Sequence, residues 1–64
     1  NTMASFEVMY KVFSISSTGI RESVGPSDYT TVVEAPSQYY ASEMVKNMNG
    51  GSDHCQIMYT KQLN

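Results

Sequence analysis

The alternation of apolar and polar positions divides the chain into three strands and one helix. From Ser5 to Ile15, Phe6, Val8, Tyr10 and Val12 fall on one face, and Glu7, Met9, Lys11, Phe13 and Ile15 on the other. A period of two, rich in Val, Tyr and Phe, predicts a strand. Its first face is wholly apolar. The second mixes charge with Met and Phe, which predicts a face half covered or turned toward a partner. From Tyr29 to Ala35 the alternation returns, with Tyr29, Thr31, Val33 and Ala35 on one face and Thr30, Val32 and Glu34 on the other. Pro36 ends this second strand because proline has no N–H for the ladder. A third strand is predicted over Asp53–Leu63. There Cys55, Ile57, Tyr59 and Leu63 point one way, and His54, Gln56, Met58, Thr60 and Gln62 the other.

Between the second and third strands the period changes. Tyr40, Ala41, Met44, Val45 and Met48 follow helical spacing, so they predict a helix lying on a core over Ser37–Asn49. Gln38, Ser42, Glu43, Lys46 and Asn47 are expected to face water, with Glu43 and Lys46 three apart and able to pair. Ser37 reads as the N-cap. An equally good reading puts Pro36 at the first helical position, where its missing N–H costs nothing. Gly50 supplies the left-handed residue past the helix end. The stretch Ser16–Asp28, with two glycines, a proline and four serines, is turn chemistry. Within it, Ile20 and Val24 either extend the first hairpin or fold as a lid over the second sheet face.

The expected fold is therefore α+β, in the order ββαβ. It is a three-stranded antiparallel sheet of order 2-1-3, with the most apolar strand in the middle and one helix packed on one face. The covered face carries Phe6, Val8, Tyr10, Val12, Val33, Ile57 and Tyr59. The uncovered face carries Met9, Phe13, Ile15, Val32 and Met58, which together are the candidate oligomer face. Residues 3–64 read as one domain. Asn1 and Thr2, ahead of Met3, read as the remnant of an expression tag.

Length sharpens the case for a partner. A chain of 64 residues buries only about 60% of its unfolded surface, and such chains gain support from disulfides, a metal or oligomerisation. One cysteine, Cys55, forbids an intrachain disulfide, and one histidine, His54, leaves too few ligands for a zinc site of Cys and His. No cofactor is implied, and oligomerisation is the support that remains. Charged residues are 16% of the chain and the net charge is −2. Lys11, Arg21, Lys46 and Lys61 are scattered along it, which argues against nucleic-acid binding. No apolar run approaches ~20 residues, and no basic start leads into an apolar stretch, so neither a membrane span nor a secretory leader is expected. The unpaired thiol fits a reducing, cytoplasmic setting.

No constellation in the chain points to catalysis. His54 and Cys55 are adjacent, so on a strand they point to opposite faces and cannot act as a nucleophile–base pair. Cys55 reads as a small core residue and His54 as a surface one. Gly50 and Gly51 close a helix instead of opening one, so they do not cradle phosphate. Glu7, Glu34 and Glu43 sit on three separate elements with no acid–base spacing. Tyr29, Tyr39 and Tyr40 could stack bases, as aromatic sheets do in single-stranded nucleic-acid binders, and this is the alternative to a protein-binding role.

The residues Val33, Glu34, Ala35, Pro36, Ser37, Tyr39, Ala41, Met44 and Val45, followed by Gly50, make a strand–proline–capped-helix phrase. It resembles a recurring pattern in small uncharacterised proteins of cyanophages and related tailed phages. The resemblance covers about a third of the chain. It implies a small phage-encoded protein that acts in the host cytoplasm or in the particle, with no activity, cofactor or catalytic residue attached. Together these readings lead to a non-enzymatic interaction module, homo-oligomeric, that modulates a host or phage protein.

Overall fold

β1 (Ala4–Ile15) is the spine of the molecule, and every other strand pairs with it antiparallel. The computed structural model describes residues 2–25 and 27–64, so Asn1 of the suspected tag remnant and Pro26 of the turn stretch lie outside the described residues. β3 (Tyr29–Ala35) matches Ala4–Tyr10 of β1 without a break in register, and β4 (Cys55–Gln62) matches Phe6–Val12. The expected α+β arrangement holds, with β1 between the other two long strands and one helix on one face of the sheet.

The stretch after β1 turns back as a short strand, β2 (Arg21–Ser23), paired with Phe13–Ile15. Val24 N–H donates to Val12 O, while Phe13 N–H donates to His54 O. Adjacent residues of a strand aim their backbone groups at opposite neighbours. β2 therefore lies along the edge of β1 that β3 continues, and β4 lies along the other edge. Ile20 and Val24 are exposed. They extend the hairpin, and the lid expected as its alternative does not form.

α1 (Gln38–Met48) follows the Pro36 stop. Ser37 is the N-cap: its extended backbone turns the chain, and its Oγ accepts from Tyr40 N–H at 3.3 Å. At the far end Asn49 Nδ2 donates to Val45 O, Gly51 N–H donates to Lys46 O, and Gly50 takes φ +94. A Cβ there would stand 3.0 Å from His54 Cβ. Glycine is thus required both by the backbone angle and by the close passage of the segment leading into β4.

The helix meets the sheet through a narrower stripe than its spacing predicts. Ala41 and Val45 are fully buried, but Tyr40, Met44 and Met48 are exposed on the flank. Ser42 and Gln38, expected in water, face β4. Ser42 shares a 2.7 Å hydroxyl–hydroxyl hydrogen bond with Thr60, and Gln38 Nε2 donates to Thr60 O at 2.7 Å. This polar latch rolls the helix toward β4 and swings Met44 and Met48 outward. The Glu43–Lys46 pair does form, at 2.7 Å.

A second departure explains why Thr60 faces the helix at all. Met9 stands opposite Tyr59, but Tyr10 stands opposite Ile57, so Met58 is an extra residue in β4. Such a bulge reverses the alternation beyond it. Cys55 and Ile57 keep their places on the covered face. Tyr59, placed there by simple alternation, instead lies with Met9 on the uncovered face, and Thr60 and Gln62 move to the covered side, where Thr60 meets the helix.

The interior is small. Among the described residues the buried apolar core is Phe6, Val8, Ala35, Ala41, Val45 and Cys55. Two of those six are alanine. The molecule measures 43 × 20 × 13 Å, a depth that leaves room for one sheet and one helix and no further layer.

Candidate interaction surface

The face of the sheet away from α1 is built by β1 residues of odd number and their partners. Glu7 stands between Val32 and Lys61, and Met9 between Thr30 and Tyr59. Lys11 pairs with Gln56, Phe13 with Ser23 and Ile15 with Arg21. Of the candidate oligomer face, Met9 and Phe13 are half-buried, Ile15 and Met58 are exposed, and Val32 is 59% exposed. Met9, Phe13, Ile15 and Val32 share this face by register. Met58 does not follow from the pairing, because it is the bulge residue and has no partner on β1. Tyr59 takes the place beside Met9 that alternation assigned elsewhere. Only the bulge could have announced it, and no residue type marks that position.

The apolar side chains are interleaved with charge. The Arg21 guanidinium lies 4.3 Å from the centre of the Phe13 ring, a cation–π contact that fixes the hairpin end of the face. Lys11, Arg21 and Lys61 therefore gather on one face although they are scattered in sequence, and Glu7 and Glu34 stand among them. Lys46 alone lies elsewhere, on the helix. Glu43 beside it holds its ammonium above the usual lysine value.

The other sequence candidates disperse. Tyr29 stacks on Tyr10 at 5.6 Å on the helix side, and Tyr39 meets Tyr40 edge to face on the helix itself. They form no shared platform. Cys55 is buried, and burial pushes its thiol pKa up. His54 is half-buried instead of free on the surface, with Nδ1 3.1 Å from Phe13 O. It braces the end of β1 and does not face the thiol as a base would. The described residues enclose no pocket and hold no cluster of three or more metal-ligating side chains. No helix among them is long and apolar enough to cross a membrane.

One surface escaped the reading of the sequence. Tyr40, Met44 and Met48, at i, i+4 and i+8, make an exposed apolar stripe on α1. Their spacing marks one helix face but cannot say which way that face turns. No family model, curated protein or solved structure matches this chain.

Proposed function

We propose that the protein is a non-enzymatic interaction module that associates with itself through the uncovered sheet face. The observation that carries this reading is the imbalance between core and surface. Among the described residues, twelve large hydrophobic residues are exposed, against six in the buried core. Several of the twelve lie with half-buried Met9 and Phe13 on a face that none of the described elements covers. Burying such surface contributes ~25 cal/mol per Å² before the costs of association. A two-fold contact would bring the same patch of two chains together. The charges suit it: Lys11, Arg21 and Lys61 of one copy can meet Glu7 and Glu34 of the other. The resemblance to small phage proteins adds the proposal that the assembled module modulates a host or phage protein in the host cytoplasm. The test is the mass in solution of the parent and of Phe13→Glu. A parent heavier than the variant supports the face. A parent with the mass of one chain removes the reading.

A second reading has one observation in its favour. Phe13 and Tyr59 share their face with three of the four cations, which is the pairing of stacking rings and charge that single-stranded nucleic acid uses. Glu7 and Glu34 nearly cancel that charge, so the protein reading leads. Fluorescence anisotropy of a labelled single-stranded oligonucleotide at low salt separates the two.

A further inference from the structure

The two outer edges of the sheet are not alike. On β1, Ser5 O accepts from Leu63 N–H, Ser5 N–H donates to the Asn64 side chain, and Phe13 N–H donates to His54 O. Odd residues of β1 therefore aim their backbone at β4, and even residues aim at β3. Directly opposed pairs such as Val8 and Thr31 exchange their hydrogen bonds. It follows that Thr30, Val32 and Glu34 turn their N–H and C=O groups outward, away from β1. Among the described residues, no side chain or backbone group bonds to them.

The β4 edge is guarded by the devices that keep edges from pairing. It carries the Met58 bulge and Lys61, and the Gln38 side chain occupies Thr60 O. β3 has none of these. Its seven residues keep unbroken register, include no lysine or internal proline, and are rich in Thr and Val. A strand with such a composition and a free edge is a template for another strand.

We infer that β3 pairs antiparallel with β3 of a second copy, about a two-fold axis at Val32. This contact is separate from the face contact proposed above. Val32 then opposes Val32 of the other copy, and Thr30 opposes Glu34, so no like charges face each other. Each of the three outward residues gives its N–H and receives one on its C=O. The second copy is the occupant because the register is self-complementary and the two sheets continue into one. The uncovered faces become coplanar across the joint, and Phe13, at the hairpin end, is not needed for it. Face and edge are two separate two-fold contacts, each using the same patch on both copies.

The test uses Phe13→Glu, in which the face contact is removed, with far-ultraviolet circular dichroism to confirm the fold. Its mass should be that of two chains. Its amides at Thr30, Val32 and Glu34 should exchange with solvent about tenfold or more slowly at high than at low concentration. Val32→Pro deletes one outward N–H at a position where an edge strand accepts proline. Combined with Phe13→Glu it should give single chains. A folded Phe13→Glu with the mass of one chain overturns the edge contact while leaving the face contact standing if the parent is heavier. A two-chain Phe13→Glu whose three amides exchange as freely at high concentration as at low also overturns it. A parent and a Phe13→Glu variant of equal two-chain mass, with slowed amides, keep the edge and remove the face.

Discussion

Ser42 and Thr60 share a 2.7 Å hydrogen bond between hydroxyls beneath the helix. Ser42 Oγ also reaches Gln38 O at 3.2 Å, so the Ser42 proton goes to that carbonyl and Thr60 donates to Ser42. The latch fixes the roll of α1 on the sheet. Ser42→Ala should lower stability by about 1 kcal/mol, the usual net value of a neutral hydrogen bond. Urea unfolding checks it, and a midpoint equal to that of the parent would mean that the latch does not set the roll.

The same roll separates two neighbours on the helix. Val45 is fully buried, and Met44 is 39% exposed. Val45→Ala should cost about 2–3 kcal/mol through lost burial and the cavity left behind. Met44→Ala should cost about 1 kcal/mol or less, although Met is the larger side chain. The two urea midpoints, compared under one set of conditions, should fall in that order.

Glycines at positive φ offer a third comparison. Gly50 has φ +94 and would place a Cβ against His54, whereas Gly19 has φ +88 and nothing within 4 Å. Alanine at either position meets backbone strain of ~1–3 kcal/mol. Gly50→Ala should be the worse of the two because it also displaces the His54 ring that braces Phe13. Thermal midpoints of the two variants measure the difference.

Cys55 gives a pH dependence with a definite sign. Burial raises its pKa in the folded protein above the ordinary 9.0. The unfolded chain therefore loses the thiol proton first as pH rises. The thiol's contribution is intact below pH 9 and is lost as pH climbs from there through the folded-state pKa. Urea midpoints from pH 9 upward should fall, and Cys55→Ala should lessen the fall. Alkylation of Cys55 at neutral pH should be slow in the folded protein and fast in urea.

The parts of this fold that are legible in the sequence are those written in local chemistry. Pro36, Ser37 and Gly50 bracket α1, and the alternation of Phe6–Val12 and Tyr29–Ala35 gives two strands and their inner faces. What is not legible depends on single events between elements. The Met58 bulge moves Tyr59 to the outer face and Thr60 to the inner one, and no composition signal marks it. The roll of α1 follows from where Thr60 lands, so the exposure of Tyr40, Met44 and Met48 inherits the same source. Lys11, Arg21 and Lys61 look scattered because they lie on three strands that only the pairing brings together. The candidate face was readable in Met9, Phe13, Ile15 and Val32, since these depend on the regular alternation of β1 and β3.

The central claim is that one copy of this chain leaves too much apolar surface uncovered to work alone. Its most direct test is the mass of the parent protein by light scattering across a micromolar concentration range. A mass at least twice the 7.1 kDa of a single chain, falling toward that value on dilution, is the result expected. A mass of 7.1 kDa at every concentration would contradict the claim.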